Sequence, residues 1–400
     1  IAKLAAEKKL EPIKIHHMSL DVLALQIVGL TIDEYGIHSN KIYDILRKAY
    51  PYKTLTKKEF LKILKFLETL RLVWLNELKD GYEVKRRRRS WQYYFENLST
   101  IPDTSQYRVV SIIQNEPIGN LDEEFVAEHG QPGNKFVCAG RAWKIIQIYG
   151  KKVIVEPIED IESAIPAWEG ELIPVPFETA QQVGRLRRLI AKNNVEKIKK
   201  EFSVDKYAMK EMTDTINKHK EKHIVPDDKL FLMENYKDFV IIHSCCGSLV
   251  NDTIGKYIAA ILTAELGVAV NIKIDPYRIM LQTIAKPNQV KKALENKADM
   301  ETILRASLER SSMFKWRFLH VAKRMGIVSK SAQYDKLNIN KVVTAYANTP
   351  AYEEAMKEIF LEKMDLENAE IVIELIRLGK IKLEIQEGLS YLGELGLVQK

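Results

Sequence analysis

The stretch TKKEFLKILKFLETLRLVWLNELKDGYEVKRRRR, from Thr56 to Arg89, decides how the first part of the chain folds. Thr56 and Glu59 have the spacing of a capping box, which predicts that a helix begins here. Apolar residues recur at helical spacing and form the buried side of this helix: Phe60, Ile63, Leu64, Leu67 and Leu70. The alternating residues that follow predict a β-hairpin with Asp80-Gly81 as its turn.

Two further helices are predicted ahead of this stretch. Ser19 caps a helix that runs to about Tyr35, and Ser39 caps a second helix that Pro51 stops. Three helices followed by a hairpin are the outline of a winged helix. We therefore expect a connector over residues 1–18 and a winged-helix domain over residues 19–97.

The character of the sequence changes after Leu98. Short β segments between Tyr107 and Val175 are punctuated by glycines, which predicts a small β-barrel over residues 98–178. A basic helical stretch, RLRRLIAKNNVEKIKKEF, comes next, and strands and helices follow it. This pattern predicts an α/β module with C-terminal helices over residues 179–400. The expected fold class is therefore multidomain α+β.

The composition is that of an ordinary globular protein. Hydrophobic residues make up 46% and charged residues 29% of the 400 positions, which argues against disorder. No stretch approaches the roughly 18 apolar residues of a membrane helix. The three cysteines form no disulfide framework and no CxxC pair, so we expect a reducing, cytoplasmic location. The lysine- and glutamate-rich composition hints at a heat-adapted archaeal or bacterial source, and the start at Ile1 suggests a piece of a longer protein.

The placement of the positive charge is more informative than the net charge of +7. On the third helix, Lys58, Lys62 and Lys65 form a basic stripe opposite the apolar side. Four consecutive arginines then end the hairpin: Arg86, Arg87, Arg88 and Arg89. Trp91 and other aromatic residues follow at once, and cations beside aromatic rings suit single-stranded nucleic acid. The alternative is a solvated charged strand next to a core helix.

Three other tryptophans are interpreted from their local sequence. Trp143 lies in a strand pattern and Trp316 on a predicted helix, so core packing is expected for both. Trp168 follows a proline in a loop, where a large aromatic side chain has less reason to be buried. Trp168 is therefore a candidate for stacking on a base.

Catalytic motifs are not evident, so we expect no catalytic residue, metal or cofactor in this chain. A P-loop requires four residues between its glycines, whereas Gly247 and Gly255 are separated by seven, and Tyr257 stands where Ser or Thr belongs. His16-His17 are adjacent in a connector and are not a convincing metal pair. His243 ends an apolar strand, where a histidine is more often a core residue than a base.

Nine stretches, in this order, resemble helicases of the large helicase-related (Lhr) family, in the part that follows the two RecA-like motor domains. They are LDVLALQIVGL (20–30), AYPYKTLTKKEF (49–60), STIPDTSQY (99–107), IGNLDEEFV (118–126), GRAWKI (140–145), PAWEGE (166–171), IHSCCGSLVNDTIG (242–255), DPY (275–277) and MFKWRFLHVAKR (313–324). The resembling part includes the region known as the DEAD/H-associated domain. The SCCG turn departs from the family pattern, in which larger residues and a proline are frequent.

The resemblance implies an ATP-dependent 3′-to-5′ helicase that unwinds DNA or RNA–DNA hybrids and acts in DNA repair. The winged helix, barrel and C-terminal module would clamp the tracking single strand, with Ile101 and Trp168 contacting nucleobases. ATP and Mg²⁺ would bind in RecA-like motor domains outside this chain, which are also its expected partner.

Two readings from other functional classes stay open. A stand-alone winged-helix regulator would read duplex sequence through the third helix. An enzyme acting on nucleic acid would use His243 and neighbouring polar groups.

Overall fold

The computed structural model describes most of the chain and divides it into two compact units. The described residues are 2–8, 13–113, 116–159, 165–166, 173–202, 204–332, 334 and 337–397. One unit, here called the winged-helix unit, consists of Lys14–Glu169 and Leu308–Glu362. The other, here called the five-stranded unit, consists of Ile1–Ile13, Gly170–Ser307 and Lys363–Lys400, and begins with a short helix, α1 (Ala2–Ala6).

The winged-helix unit opens with helices and a small sheet in the expected arrangement. Its first elements are α2 (Leu20–Asp33), β1 (Gly36–His38), α3 (Ser39–Leu46), a 3₁₀ turn (Tyr50–Tyr52), α4 (Lys57–Thr69), β2 (Val73–Leu78), β3 (Gly81–Arg86) and α5 (Arg88–Glu96). The three strands form an antiparallel sheet in the order β1-β3-β2. The apolar sides of α2, α3 and α4 are buried, so this part is winged-helix-like.

The ends of these elements differ from the sequence prediction in four places. Ser19 stands at the N-cap of α2, but its side chain makes no capping hydrogen bond to the described residues. The capping box of Thr56 and Glu59 is present, but α3 is capped by the His38 ring, which accepts from the amide of Asn40, and not by Ser39. Helix α3 ends before Pro51, which lies in the 3₁₀ turn. The hairpin turn is Lys79-Asp80, because Gly81 already pairs with Leu78.

A six-stranded sheet follows in the same unit. Its strands and one helix are β4 (Gln106–Ser111), β5 (Pro117–Asp122), α6 (Glu123–His129), β6 (Lys135–Cys138), β7 (Arg141–Tyr149), β8 (Lys152–Ile158) and β9 (Ile165–Pro166). The order β5-β4-β8-β7-β6-β9 leaves β5 and β9 as edges within the described residues, so the sheet is a half-barrel. Trp143 lies in its core beside Phe136 and Val155, which confirms the expected packing role. Closure of the barrel stays a prediction.

From residue 177 the chain continues through helices and a third sheet. The elements are α7 (Phe177–Ala191), α8 (Val195–Glu201), α9 (Lys206–Lys220), β10 (Leu230–Tyr236), β11 (Phe239–His243), α10 (Ser248–Leu266), β12 (Asn271–Asp275), β13 (Arg278–Gln282), α11 (Pro287–Leu294), α12 (Met300–Leu308), α13 (Ser312–Arg324), α14 (Ile339–Ala345), α15 (Pro350–Glu362), α16 (Leu366–Arg377), β14 (Lys382–Glu387) and α17 (Tyr391–Leu397). The sheet order is β12-β13-β11-β10-β14, antiparallel except for β14 beside β10. Helix α10 packs on β12 and β13 and forms the core of the five-stranded unit.

Three of the later helices belong to the winged-helix unit. Helix α13 packs against α15 and α6, and α15 packs against α2 and α4. Trp316 of α13 is buried, which confirms its expected packing role. The domain boundaries expected from the sequence, with one module over residues 179–400, stay a prediction. The two compact units divide the chain differently, since residues 308–362 join the winged-helix unit.

The fold as a whole is mixed α+β, as expected from the sequence. None of the helices within the described ranges has both the length and the apolar character needed to cross a lipid bilayer.

Candidate nucleic-acid interface

Helix α4 presents a basic stripe to solvent. The capping box fixes where the helix begins, and the burial of Phe60, Ile63 and Leu67 fixes which side faces the core. The ammonium groups of Lys58, Lys62 and Lys65 are exposed on the opposite side. No ion pair among the described residues takes up any of these three side chains, so their charges are available to a polyanion.

The four arginines lie where β3 ends and α5 begins, and three of them bind backbone carbonyls. Arg86 donates to the carbonyl of Ile32 at 3.0 Å. Arg87 donates to that of Val73 at 3.0 Å. Arg89 donates to two carbonyls, those of Leu70 at 3.2 Å and Gly326 at 2.7 Å. These bonds hold the side chains in place, a role that the sequence interpretation did not include.

Binding to carbonyls does not neutralise these arginines. A guanidinium has five N–H donors and a permanent positive charge, so donors remain after one or two bonds to the backbone. Arg88 is exposed and has no carboxylate partner within the described part of the chain. The junction therefore keeps four positive charges, of which three are held in fixed positions. The contact of these arginines and of the α4 lysines with phosphate stays a prediction.

The aromatic residues of α5 divide into buried and exposed members. Tyr93 is buried, and the ring of Tyr94 lies against α2 at Gly29, where any side chain would clash with it. Trp91 and Phe95 are 44% and 59% exposed and stack on each other, with ring centroids 6.0 Å apart. The helical spacing of four residues places these two rings on one side of α5.

The structure describes one of the two residues that are expected to contact bases. Ile101 lies in a bend after α5 and is 78% exposed, so this apolar side chain is open to solvent instead of packed in a core. Trp168 lies outside the described residues. Both assignments stay predictions.

A polar cleft lies beside the segment that carries Ile101. The cleft has a volume of about 410 Å³ and is lined by Glu96, Asp103, Ser105, Glu123, Lys323, Ser329, Lys330, Ser331 and Ala332. Lys330 binds the carboxylate of Asp103 at 3.3 Å and the carbonyl of Glu96 at 3.0 Å. This lysine thereby ties the segment at both ends, a role that no local sequence signal indicates because its partners lie more than 200 positions away.

Three buried carboxylates could be mistaken for a metal site. Asp21, Glu354 and Glu358 bring their oxygens within 4.8 Å of one another. Arg324 donates to Asp21 at 2.5 Å and also to Glu358, while His16 lies 3.0 Å from Glu354. Basic side chains thus already contact this cluster, which joins α2 to α13 and α15.

His243 lies deep inside the five-stranded unit. Its ring nitrogen is 3.1 Å from Glu234, and the two side chains are 1% and 0% exposed. Burial lowers the pKa of His243, although the carboxylate of Glu234 opposes this shift. A histidine without access to solvent is poorly placed to act as a general base on a polynucleotide.

The turn at Gly247 does not resemble a phosphate-binding loop. The amides of Ser244 and Gly247 donate to the carbonyls of Tyr277 and Pro276, and that of Ser248 donates to the carbonyl of Val175. Backbone amides that already have partners cannot cradle a phosphate.

Two family models match successive parts of the chain. The model described as "Large helicase-related protein, winged helix domain" matches residues 3–164. The model described as "DEAD/H associated" matches residues 225–393. These regions contain the winged-helix-like elements, the half-barrel and the sheet of the five-stranded unit.

Similar proteins point to the same family. The ATP-dependent helicase Lhr-Core of Methanocaldococcus jannaschii is 28% identical over 93% of this chain and 46% of its own length. The ATP-dependent helicase Lhr-Core protein 2 of Thermococcus barophilus is 28% identical over 97% of this chain and 48% of its own length. The chain thus spans about half the length of these relatives.

A solved structure shares the fold. The Mycobacterium smegmatis helicase Lhr, bound to ssDNA and AMP-PNP, has a TM-score of 0.68 at 18% identity, over 99% of this chain and 50% of that one. The resemblance inferred from nine short stretches is thereby confirmed. With its winged-helix and DEAD/H-associated regions both matched, this chain belongs to the large helicase-related (Lhr) family of helicases.

Proposed function

We propose that this chain is the nucleic-acid-gripping part of an ATP-dependent 3′-to-5′ helicase. It clamps the tracking single strand while DNA or RNA–DNA hybrids are unwound, as in DNA repair. RecA-like motor domains in the rest of the protein bind ATP and Mg²⁺ and supply the force. The work of this chain is mechanical: cations hold phosphates, and Ile101 and Trp168 contact bases, so that the strand does not slip back. The protein acts in the cytoplasm.

The exposed stripe of Lys58, Lys62 and Lys65 is the observation that carries this proposal. Three exposed ammonium groups on one side of a helix form a linear array of positive charge. Such an array gains free energy on polynucleotide binding because condensed counterions are released from the phosphates. The fixed arginines at the start of α5 add charge within the same unit.

The test is single-strand binding over a salt series, followed by fluorescence anisotropy of a labelled oligothymidylate. For the triple variant Lys58→Ala, Lys62→Ala, Lys65→Ala we expect weaker binding and a smaller dependence on salt. Each phosphate contact contributes about 0.7 to the slope of log K against log salt concentration, so the loss of three lowers that slope by about 2.

A second triple variant controls for the change in net charge. Lys206, Lys210 and Lys292 are exposed lysines of the five-stranded unit, and their replacement by alanine removes the same charge elsewhere. We expect the control to keep most of the affinity and slope of the wild type. Equal losses in the two triple variants would contradict a specific role for α4.

The base contacts are tested separately from the phosphate contacts. Trp168→Ala and Ile101→Ala should weaken single-strand binding, and for the tryptophan the loss is about tenfold, since each stacked base contributes roughly 1–3 kcal/mol. The salt slope should stay unchanged because no charge is lost. Affinity equal to that of the wild type in a folded Trp168→Ala protein would remove this residue from the proposed site.

A duplex-reading regulator is the second candidate, and the same helix α4 favours it. The last helix of a winged helix is the element that enters the major groove in this class, and its basic side is exposed here. Affinities for single-stranded DNA, duplex DNA and RNA–DNA hybrid separate the two functions. A strong preference for one duplex sequence would support the regulator over the helicase part.

A further inference from the structure

Four planar groups form a continuous row on the surface of the winged-helix unit. The guanidinium of Arg86 lies over the rings of both Tyr35 and Trp91, 5.1 Å and 5.4 Å from their centroids. Trp91 in turn stacks on Phe95, with their ring planes 14° apart. The order of the row is Tyr35, Arg86, Trp91, Phe95.

The row is both held in place and open to solvent. The bond from Arg86 to the carbonyl of Ile32 holds its guanidinium at the end of α2, and helix α5 sets the spacing of Trp91 and Phe95. Tyr35 is 65% exposed, and both rings of α5 are exposed as well. These side chains are thus ordered before any ligand binds, which reduces the loss of conformational entropy on binding.

Unpaired nucleobases are the occupant that the chemistry of this row favours. A base offers a flat π surface, and arginine stacks on such surfaces as readily as aromatic rings do. An apolar protein partner would bury the charged guanidinium without a carboxylate to compensate, which costs free energy. Arg88, at the start of α5, is exposed and pairs with no carboxylate of the described residues, so its guanidinium can bind the phosphates of the same strand.

We infer that the row Tyr35–Arg86–Trp91–Phe95 is a stacking surface for consecutive unpaired bases, additional to Ile101 and Trp168. The inference rests on the proposed function, since it assigns a further contact to the same single strand. The three rings are exposed, and Arg86 adds a planar cation that contacts two of them.

The experiment compares the full chain on two oligonucleotides with equal numbers of phosphates. One is oligothymidylate and the other is an abasic strand of the same length, both labelled for fluorescence anisotropy. The wild type should prefer the strand that carries bases. In Trp91→Ala and in Phe95→Ala this preference should fall about tenfold, while affinity for the abasic strand stays the same.

Two further variants define the origin of the effect. Tyr207→Ala removes a ring of the five-stranded unit that is 87% exposed, more than Trp91 or Phe95, and should leave the preference unchanged. Arg86→Lys keeps the charge but loses the planar group, so it should lower the preference for bases without changing the salt dependence. Circular dichroism checks that each variant is folded.

The outcomes separate this inference from the proposed function. If the folded Trp91→Ala and Phe95→Ala proteins keep the wild-type preference, the stacking surface is wrong while single-strand binding stands. If the wild type binds neither strand, the proposed function fails and the inference falls with it. A wild-type dimer in light scattering that dissociates in Trp91→Ala would instead make the row a contact between copies.

Discussion

His320 shows how strongly one buried side chain depends on its surroundings. It lies on α13 among Arg317, Lys323 and Arg324, with Glu123 3.9 Å from its ring nitrogen. Burial, followed by the repulsion of these three cations, lowers the pKa of His320 to about 3. The single carboxylate of Glu123 is too distant for a hydrogen bond and does not compensate.

This shift predicts that the winged-helix unit loses stability in mild acid. The folded protein keeps His320 neutral, whereas the unfolded chain binds a proton below the ordinary histidine pKa of 6.5. The contribution is therefore complete above pH 6.5 and declines as the pH falls towards 3. Between about pH 7 and about pH 5 the free energy of unfolding should drop by about 2 kcal/mol from this residue alone.

Urea denaturation of the wild type and His320→Gln measures the effect. Trp74, Trp91, Trp143 and Trp316 all belong to the winged-helix unit, so tryptophan fluorescence follows its unfolding. Between about pH 7 and about pH 5, the free energy of unfolding of the variant should fall by about 2 kcal/mol less than that of the wild type. His16 works in the opposite direction: its hydrogen bond with Glu354 raises its pKa, so its contribution is present below pH 6.5 and is lost as the pH rises. Identical pH profiles for wild type and variant would show that His320 does not titrate in this way.

The burial of a single residue could be predicted where it follows from the neighbouring sequence. It could not be predicted where it depends on contacts with distant parts of the chain. Trp143 and Trp316 follow from strand and helix patterns. Glu123, by contrast, belongs to the acidic run Asp122-Glu123-Glu124, a pattern typical of a solvated surface, yet it is buried because α13 packs on α6. The row that includes Tyr35 could not be predicted either, because Tyr35 and Arg86 are about 50 positions apart and no sequence motif indicates their contact.

At the scale of elements, α4 depends on the capping box at its start. The hydroxyl of Thr56 accepts from the amide of Glu59, whose carboxylate accepts in return from Thr56. These bonds lower the pKa of Glu59. We expect Thr56→Ala to lower the free energy of unfolding by about 1 kcal/mol, because an amide at the first turn loses its partner.

Urea denaturation and an NMR titration of Glu59 check this expectation together. The pKa of Glu59 should return towards its usual value in Thr56→Ala. Thr69→Ala, at the other end of the same helix, is the matched control and should change stability by less than about 0.5 kcal/mol. An unchanged Glu59 titration in Thr56→Ala would contradict the role given to the hydroxyl.

Helices were predicted better than strands, for physical reasons. The periodic apolar positions of α2 and α4 mark both helices. Strand β5 lies within the predicted β region but has a weak strand pattern of its own, because PIGNLD begins with proline and contains glycine. Strand β14 was missed, since helices were predicted at the C-terminal end and the edge strand KLEIQE is mostly polar. His38 was overlooked as a cap because its ring nitrogen replaces the usual hydroxyl or carboxylate.

At the scale of the whole molecule, the winged-helix unit needs residues 308–362. Arg324 of α13 pairs with Asp21, and Glu354 of α15 accepts from the amide of Leu20 at 2.8 Å. A fragment of residues 14–169 lacks these partners and leaves the carboxylate of Asp21 uncompensated. We expect it to be less stable than the same residues in the full chain by about 3 kcal/mol or more.

Tryptophan fluorescence in urea measures the loss, and a second fragment provides the control. A peptide of residues 308–362 added to the fragment should bind and restore the stability. An added peptide with Arg324→Ala should restore less. A fragment as stable as the full chain would show that the helices of residues 308–362 do not stabilise the unit. The boundary of this unit could not be predicted, because the winged-helix pattern is complete by residue 97 and gives no sign of later helices.

The interrupted course of the winged-helix unit also has a consequence for biosynthesis. While the ribosome makes residues 170–307, the nascent chain carries α2 with its face for α13 and α15 uncovered. Contacts between residues so far apart in sequence form late and slowly, and exposed apolar surface favours aggregation in the meantime. The winged-helix unit can therefore be completed only after residues 308–362 have been made, which delays its folding until late in synthesis.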